Sequence, residues 1–366
     1  MRLRMNESSK IYIAGHKGFA GSAIWGNLHS RGYTNIVGRS HSELDLMERH
    51  SVKYFFDKEK PEYVILAAAF TGRTVENNNN CCRADFIYRN LQIQNNVIGE
   101  SFLHKVKKLL FLGSSCIYPK VSPQPLREED LLTSLPEYVD EPFAIAKIAG
   151  IRMCESFNIQ YRTNYISVVP ADFYGPNDNF NLGKCHVLPG LMRKMHLAKC
   201  LQENNWSGIQ KDIRRRALDD IGGDSTMDDF VFTLSKLGIY SNHLELWGTG
   251  RPMREFLWSE DMADACVFIM ENINFNELKK GKTEVRNCHI NIGTGKETSI
   301  KSLAFLMADI LGYSGRIKFD TTVPDGSMRK LTDVSKLRSL GWQYKVDLDE
   351  GIRKMYKWYL EDLEFE

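Results

Sequence analysis

Short apolar runs alternate with amphipathic stretches along the first half of the chain, and this alternation restricts the fold more than any other feature. The runs carry almost no charge, which is typical of strands buried on both faces of a parallel sheet. Strands are predicted at Ile11 to Ala14, Asn35 to Val37, Tyr63 to Leu66, Leu109 to Leu112 and Tyr165 to Val169. Helical patterns separate them at about 21–31, 48–59 and 85–105. The predicted fold class is therefore α/β, with a Rossmann-type doubly wound parallel sheet and helices on both of its faces.

The second half of the chain has a less regular rhythm, and it predicts a smaller, discontinuous α+β substrate-binding domain. The first domain is predicted to span 1–180, with returning segments at about 244–265 and 287–293. Most of 181–366 is assigned to the second domain.

Within the second domain, about 199–243 is predicted to be an inserted helical segment. It contains the charged run Lys211 to Arg216. Such a run usually forms a solvated helix face, and we interpret it in that way. A functional lid or a partner surface is the alternative.

Composition argues against several kinds of partner. The formal net charge is +2 and 43% of the residues are hydrophobic, as in ordinary globular proteins, so we expect no nucleic-acid and no membrane partner. Residues 1–10 are polar and lack the apolar core of a secretory signal. The 8 cysteines have neither metal-ligand spacing nor the pattern of a disulfide framework. We therefore expect no metal and a reducing, cytoplasmic location.

A glycine-rich turn follows the first predicted strand. Gly15, Gly18 and Gly21 have GxxGxxG spacing and open a helix, so the backbone can approach a pyrophosphate at the helix N-terminus. Tight turns also use glycine for steric reasons alone. After the second strand, where an NAD site usually has a carboxylate, the chain has Arg39, and Lys17 lies inside the glycine turn. Two cations suit a 2′-phosphate, so the predicted cofactor is NADP(H); a solvated Arg39 is the alternative.

A second motif joins Ser114, after the strand that ends at Leu112, to Lys147, on a predicted helix that begins near Glu141. This layout resembles that of short-chain dehydrogenases, which have a Ser, a Tyr and a Lys four residues after the Tyr. In those enzymes the Tyr exchanges a proton with the substrate oxygen, and the Lys keeps the phenol acidic. Here the position of the Tyr is occupied by Phe143.

Longer motifs extend the resemblance to the GDP-L-fucose synthase family, the NADPH-dependent epimerase-reductases that act on GDP-4-keto-6-deoxymannose. The similarity runs from Ile11 to about Tyr359 and is interrupted by the inserted segment. The motifs that carry it lie at 112–119, 144–150, 174–180, 186–189, 247–250 and 254–256.

The resemblance implies roles for individual residues. It implies that Ser114 hydrogen-bonds the 4-keto oxygen and that Lys147 holds the nicotinamide ribose and tunes the acid. Cys116 and His186 match the pair that exchanges protons at the carbons flanking the ketone; a buried strand-end cysteine and a structural histidine are the alternatives. Further cofactor contacts are implied for Phe19, Ala67, Ala68, Pro170 and His186. GDP-sugar contacts are implied for Ser115, Asn179, Lys194, Trp247, Arg254 and Lys330, although a core position is equally compatible with the tryptophan.

The family pattern also implies a homodimer, through the helix that begins near Phe143 and the predicted helix 85–105.

Phe143 is the main departure from the family pattern, because it removes the acid that protonates the developing alkoxide at C4. Three explanations are open. The chain is a substituted variant that traps bound substrate; or it is a natural branch in which Ser114 or a relayed water donates the proton; or it has kept only epimerase activity or only binding. Tyr118 and Tyr138 are speculative substitutes for the missing phenol.

The stretch from Phe70 to Cys82 is a second departure, since family members have a shorter, Gly-rich loop there. A longer polar loop could admit a larger sugar, such as a GDP-6-deoxy-4-keto-heptose; drift in a surface loop is the alternative. Heptose reductases of bacterial capsule synthesis resemble this family. The leading hypothesis for the substrate is therefore such a heptose. The predicted function is NADPH-dependent C4 reduction of a GDP-4-keto-6-deoxy sugar, hexose or heptose, with or without epimerisation at C3 and C5.

Overall fold

The predicted strands are present in the computed structural model, which describes residues 5–71, 82–218, 221 and 225–364. Numbered along the chain, the strands are β1 (Ile11–Ala14), β2 (Ile36–Val37), β3 (Tyr63–Leu66), β4 (Lys108–Leu112), β5 (Tyr165–Pro170), β6 (Asp172–Tyr174), β7 (His243–Trp247), β8 (Met253–Arg254), β9 (Phe256–Trp258), β10 (Ile290–Ile292), β11 (Thr298–Ser299), β12 (Arg316–Asp320) and β13 (Arg329–Lys330). The helices are α1 (Phe19–Ser30), α2 (Arg49–Glu59), α3 (Arg83–Leu103), α4 (Glu141–Tyr161), α5 (Val187–Gln202), α6 (Trp206–Arg215), α7 (Met227–Lys236), α8 (Ser259–Asn272), α9 (Phe275–Leu278), α10 (Ile300–Leu311), α11 (Ser335–Ser339) and α12 (Leu348–Asp362). Short 3-10 turns lie at Ser115–Ile117 and Glu128–Asp130.

Six strands form one parallel sheet in the order β10-β5-β4-β3-β1-β2. Every residue of β1, β3, β4 and β5 is buried, which explains why the sequence shows uninterrupted apolar runs there. The strands that follow β1 in the chain lie on opposite sides of it, so a crevice forms at the carboxyl ends of β1 and β3. The fold is the predicted Rossmann-type, doubly wound α/β sheet.

The chain divides into two compact units, each with its own hydrophobic core. The first unit comprises Met1–Phe173, Ser259–Gly295 and Leu331–Lys345, and the second comprises Tyr174–Trp258, Lys296–Lys330 and Val346–Glu366. This division differs from the predicted one, because 244–258 lie in the second unit and 331–345 in the first. Strand pairing accounts for the position of 244–258, since β7 pairs with β12, and β8 pairs with β11 and β13.

Lys108, the first residue of β4, is a buried cation in the first unit. Its ammonium donates to the carbonyls of Ile269 (2.7 Å) and Met270 (2.8 Å) near the end of α8, and also to the carbonyl of Ile273. The Ile269 carbonyl also accepts the Ile273 N–H at 3.1 Å, and the helix dipole places negative charge at this end of α8. Burial lowers the pKa of Lys108 to about 7. Lys108 therefore joins the sheet to the carboxyl end of a helix.

The predicted inserted segment is helical, and it is anchored in the second unit through α6. Asp212 of α6 is fully buried and forms an ion pair with the equally buried Arg193 of α5, with 2.8 Å between Nη2 and Oδ1. The Tyr359 hydroxyl donates to the other carboxylate oxygen of Asp212. Because Ile209 and Ile213 pack into the core beside it, the interpretation of the charged run as a solvated face is wrong at Asp212.

No described helix is long and apolar enough to cross a membrane.

Candidate active site

The glycine turn lies at the carboxyl end of β1, next to β3. Gly15 has a φ of +87°, and a Cβ there would lie 2.7 Å from the backbone of Ala68. A Cβ on Gly21 would lie 2.1 Å from the carbonyl oxygen of Gly15. Glycine is therefore required at both positions. The N-cap residue of α1 is Gly18, so no side chain caps the helix. Its first N–H groups are left for an external anion.

Arg39, at the end of β2, lies in a small cluster of charges. Its guanidinium pairs with Glu59 at 2.6 Å, and Lys10 pairs with the other oxygen of the same carboxylate at 2.7 Å. The Lys10 ammonium, together with Arg39, holds the pKa of Glu59 below its ordinary value. Arg39 is therefore held in an ion pair, and Glu43 is a further carboxylate near Arg39 and Lys17.

His16, inside the glycine turn, is a residue that the sequence analysis missed. Its Nδ1 is buried and has no hydrogen-bond partner among the described residues. Burial, with the neighbouring charge of Lys17, lowers the pKa of His16. A polar atom without a partner at this position fits a turn that binds a polar ligand. The sequence could have indicated this residue, because a histidine stands inside the glycine motif.

These residues fit a dinucleotide that carries a 2′-phosphate. The open start of α1 suits the diphosphate, and the Lys10, Arg39 and Lys17 charges suit the phosphate on the ribose. The other predicted cofactor residues of this unit lie at strand ends or in α1. Ala67 and Ala68 follow β3, Pro170 ends β5, and Phe19 stacks on Phe173 with ring centroids 4.8 Å apart.

Ser114, Ser115 and Cys116 lie directly after β4. The Ser114 side chain caps the 3-10 turn and accepts the Cys116 N–H at 3.4 Å, which leaves the hydroxyl proton of Ser114 to be donated elsewhere. Ser115 is buried, whereas Ser114 and Cys116 are half-buried. The serine and the thiol are thus the partly accessible side chains of this turn.

Lys147, on α4, is 4% exposed and reaches the same strand end. Its ammonium donates to the Leu112 carbonyl at 2.7 Å, and it lies 4.8 Å from the ring centroid of Phe111 and 5.6 Å from that of Phe143. Burial lowers the pKa of Lys147 to about 8, and Cys116 acts in the opposite direction. The structure therefore brings together the predicted Ser114, Cys116, Phe143 and Lys147 around the end of β4.

Tyr118 does not replace the missing phenol. Its hydroxyl lies 2.5 Å from Oδ1 of Asn291 and 3.0 Å from Nε2 of His289, and all three side chains are buried. Burial raises the pKa of Tyr118 well above its ordinary range. Tyr138 is 64% exposed, and the Arg83 guanidinium lies 4.3 Å above its ring. Tyr118 is thus a structural anchor for the turn that carries Ser114 and Cys116.

His186 belongs to the second unit, where it is exposed and immediately precedes α5. Asp178 lies within electrostatic range of it. Burial raises the pKa of Asp178 to about 6, and His186 lowers it. Asp178 was not predicted as a site residue, although it lies inside one of the family motifs. Asn179, which was predicted, uses its side-chain amide to donate to the Lys184 carbonyl at 3.2 Å.

Lys194 and Trp247 of the second unit lie close together. The Lys194 ammonium is 5.8 Å from the Trp247 ring centroid and donates to the Leu237 carbonyl at 2.7 Å. Trp247 is 61% exposed, so the alternative of a core tryptophan is wrong. A cation beside an exposed indole can bind an anionic, aromatic ligand such as a nucleotide.

Arg254 and Lys330 are direct neighbours across the β8–β13 pairing. Cross-strand neighbours project from the same face of a sheet, so the two charges favour a shared anion. The loop before β8 is held by Asp325, which accepts the Thr249 N–H at 2.8 Å and its hydroxyl at 2.6 Å. Sequence reasoning missed Asp325, because its role depends on two loops that are distant in the chain.

Among the described residues, no group of three or more His, Cys, Asp or Glu side chains could hold a metal ion. The predicted substrate loop at 70–82 lies mostly outside the described residues, since only Phe70, Thr71 and Cys82 of it are described.

Comparison with known proteins identifies the family. The sequence pattern of the NAD dependent epimerase/dehydratase family matches residues 11–214 and 224–293. GDP-L-fucose synthase 1 of Arabidopsis thaliana is 44% identical over 358 residues, covering 98% of this chain and 95% of that protein. A GDP-6-OMe-4-keto-L-xylo-heptose reductase from C. jejuni is 46% identical with a TM-score of 0.91, covering 98% of this chain and 99% of that one. The GDP-mannoheptose C4 reductase from Campylobacter jejuni, solved with NADP bound, is 45% identical with a TM-score of 0.86, covering 97% and 99%. This chain therefore belongs to the NAD dependent epimerase/dehydratase family and, within it, to the GDP-L-fucose synthase family.

Proposed function

We propose that this chain uses NADPH to reduce the C4 ketone of a GDP-4-keto-6-deoxy sugar. The observation that carries the proposal is the environment of Lys147, a buried cation held at the end of β4 beside the turn of Ser114 and Cys116. A positive charge at that place stabilises an oxyanion that develops next to it. The reductase names of the solved relatives support the same chemistry.

The cofactor is NADP(H), which supplies a hydride to C4 when it is bound. The diphosphate is assigned to the start of α1, after Gly15, and the 2′-phosphate to Arg39 with Lys17. Lys147 is assigned to the nicotinamide ribose, because an ammonium has three N–H donors and the Leu112 carbonyl accepts one of them.

The ketone oxygen is assigned to the Ser114 hydroxyl, whose proton is available for donation. Without a phenol at position 143, we propose that Ser114 and a water near Lys147 transfer the proton that the alkoxide needs. Tyr118 is not assigned to this step, because its hydroxyl is buried against Asn291.

The substrate is proposed to be a GDP-sugar, hexose or heptose, that serves the synthesis of a capsule or another surface polysaccharide. Lys194, Arg254 and Lys330 are assigned to the diphosphate, and Trp247 to the nucleotide. Relatives with hexose names and relatives with heptose names are similarly close, which supports both sugar classes.

Cys116 and His186 are proposed to exchange protons at C3 and C5, which adds an epimerase step. The substitution at Phe143 is the observation that favours a second candidate, an enzyme that epimerises without reducing. The reductase relatives do not favour this second candidate.

Incubation with the keto sugar and NADPH in D₂O separates these functions. We expect oxidation of NADPH, and deuterium at C3 or C5 if the epimerase step is present. Deuterium in the sugar without NADPH oxidation contradicts the reductase proposal. If neither exchange nor oxidation occurs, only binding remains.

The variant Phe143→Tyr tests the role of this position. We expect it to raise the reduction rate by about 10²-fold, since a positioned general acid contributes about 10²–10⁴-fold. Phe143→Leu is the matched control, because it changes the ring without adding a hydroxyl, and we expect no gain. An unchanged rate in Phe143→Tyr contradicts the assignment of this position to proton transfer.

A homodimer and a cytoplasmic location complete the proposal. Helices α3 and α4 pack on each other and expose large apolar side chains, among them Tyr88, Ile145 and Ile159. Exposed apolar faces of this kind support an interface between two copies. Light scattering should then give twice the chain mass of 42.1 kDa, and a single-chain mass contradicts the dimer. The described cysteines are all thiols, which supports a reducing compartment.

A further inference from the structure

The loop between β6 and α5 is held to the core of the second unit through the backbone of Phe180. The Phe180 carbonyl accepts a hydrogen bond from Nη1 of Arg193 at 3.1 Å. The Arg193 side chain is fully buried, and its Nε donates to the Asp212 carboxylate of α6 at 2.9 Å. One guanidinium therefore ties the backbone of this loop to the inserted segment.

The ring of Phe180 is held as well, and the inserted segment contributes to its surroundings. Its centroid lies 4.9 Å from that of Tyr359 and 6.1 Å from that of Trp358, both on α12. The Cζ atom of Arg216, the C-cap residue of α6, lies 5.0 Å from the Phe180 centroid and 4.5 Å from that of Tyr359. Phe180 is 3% exposed. These distances are those of cation–π contacts, which are strongest where the guanidinium is poorly solvated.

Arg216 is itself fixed in place by its backbone and by its side chain. Its N–H donates to the Asp212 carbonyl at 2.8 Å, and its carbonyl accepts a hydrogen bond from Nη2 of Arg193. Its Nη2 pairs with Asp362 at 2.5 Å. Its Nη1 is buried and has no hydrogen-bond partner among the described residues. Such a donor needs compensation, which the faces of the two aromatic rings provide.

The hydrogen bonds within the loop start from the two residues that flank Phe180. Asn179 accepts the Asn181 N–H at 3.0 Å and donates to the Lys184 carbonyl at 3.2 Å. The Asn181 carbonyl accepts the Lys184 N–H at 2.8 Å. The path of the chain from Asn179 towards His186 is thus built on the point at which Phe180 is anchored.

We infer that Arg216 is a positioning residue for the 178–186 loop and that it acts through Phe180. The inserted segment then has a role in the reaction, because it holds the loop that carries Asn179 and His186. The inference rests on the proposed function, since the GDP-sugar reaction is what gives these two residues a substrate. It extends that function to a segment outside the family motifs.

The first test needs no substrate and measures hydrogen–deuterium exchange of the backbone amides in the 178–186 loop. Arg216→Met keeps the aliphatic stem and removes the guanidinium. We expect it to speed this exchange about tenfold, the factor that corresponds to a poorly solvated cation–π contact. An exchange rate equal to that of the unmodified protein overturns the inference.

Arg215→Met is the matched control for this test. Arg215 pairs with the same Asp362 carboxylate, at 2.7 Å, but its side chain is 45% exposed, whereas that of Arg216 is 12% exposed. The control therefore weakens the same ion-pair cluster and leaves the guanidinium over Phe180 in place. We expect exchange in the loop to be unchanged, and equal acceleration in the two variants overturns the inference.

The second test measures NADPH oxidation with GDP-4-keto-6-deoxymannose as the sugar. We expect Arg216→Met to lower kcat/KM for the sugar by about three- to tenfold, since a smaller fraction of the protein has the loop in its binding conformation. The KM for NADPH should not change, because the cofactor phosphates are assigned to the first unit. Arg216→Lys retains a cation and should recover part of the loss. A lower Tm with both constants unchanged assigns Arg216 to fold stability alone, which overturns the inference.

A double-mutant cycle tests whether the effect passes through Phe180. Phe180→Leu keeps an apolar side chain but removes the ring, so we expect it to lower kcat/KM for the sugar about as much as Arg216→Met. The two changes together should be no worse than the larger single change, because they remove the same contact. If the two losses multiply, Arg216 acts independently of Phe180, and the inference fails.

The failure of the inference can be told from the failure of the proposed function. If the unmodified protein oxidises no NADPH with the keto sugar, the proposed function fails, and exchange in the loop alone decides whether Arg216 orders it. If the unmodified protein oxidises NADPH and Arg216→Met matches it in both tests, the inference fails while the proposed function stands.

Discussion

Two buried lysines have opposite ends of β4 as their positions, Lys108 as its first residue and Lys147 beside its last, and they differ in what their ammonium groups contact. Lys108 begins β4 and donates to three carbonyls at the carboxyl end of α8. Lys147 reaches the other end of β4, where its partners among the described residues are the Leu112 carbonyl and the rings of Phe111 and Phe143. Both are 4% exposed, and burial lowers the pKa of both. Burial alone therefore does not distinguish a structural lysine from a functional one. The two lysines differ in how many of their N–H donors have an acceptor in the protein.

Among these predictions, the replacement of Lys147 should have the largest effect, and the quantity affected should be the rate of catalysis. We expect Lys147→Met to lower kcat for reduction by about 10²–10³-fold, because the proposed contacts of this ammonium with the oxyanion and with the cofactor ribose are lost. Since a single carbonyl loses its donor, the free energy of unfolding should change by only about 1 kcal/mol. NADPH oxidation and thermal unfolding measure the two effects. If Lys147→Met lowers the stability of the protein but leaves the specific activity of the folded fraction unchanged, the lysine has a structural role and not a catalytic one.

Replacing Lys108 should have its effect on stability. Lys108→Met removes the ammonium donor from three carbonyls, of which that of Ile269 keeps the Ile273 N–H, so we expect the free energy of unfolding to fall by about 2–3 kcal/mol. The specific activity of the folded protein should not change. Lys107→Met is the matched control, because Lys107 forms a partly exposed pair with Glu62, and such pairs contribute about 0–1 kcal/mol. Equal losses in the two variants would contradict a special role for Lys108.

The smallest expected effect is a pH dependence that belongs to Lys147. Its pKa is lowered to about 8, so the ammonium is charged below that pH and loses its charge above it. The reduction rate should therefore fall as the pH rises past about 8, by at most tenfold per unit. Lys147→Arg remains charged over this range, so its remaining activity should show no such decline. If the reduction rate of the arginine variant falls with the same midpoint, the pH dependence belongs to a group other than Lys147.

The sheet could be predicted from the sequence because buried parallel strands leave an unmistakable local signal. Ile11 to Ala14 and Tyr63 to Leu66 are runs without a charge, and the glycine turn directly follows the first of them. Ser114 and Lys147 could be placed for a similar reason, since each lies a fixed number of residues from a strand end or a helix start.

Residues whose roles depend on distant partners could not be predicted. Lys108 looks like an ordinary polar strand end, because its acceptors lie on a helix more than a hundred residues later in the chain. Asp212 sits among surface charges, and only its pairing with Arg193 shows that it is buried. Arg39 was predicted as a phosphate ligand, yet its partner Glu59, at the end of α2, was not.

The burial of Arg193 against Asp212 has a consequence for how this chain can change over evolutionary time. Arg193 lies on α5, next to the proposed substrate residue Lys194, whereas its counter-charge comes from the inserted segment. A descendant that lost α6 would leave the Arg193 guanidinium without its counter-charge, at a cost of about 3–5 kcal/mol, which is a large part of a domain's net stability. The outer face of α7 carries no such constraint, since Val231 and Phe232 are exposed. We therefore expect substitutions on the surface of the inserted segment to be tolerated during evolution. Deletion of the segment, in contrast, would destabilise the protein.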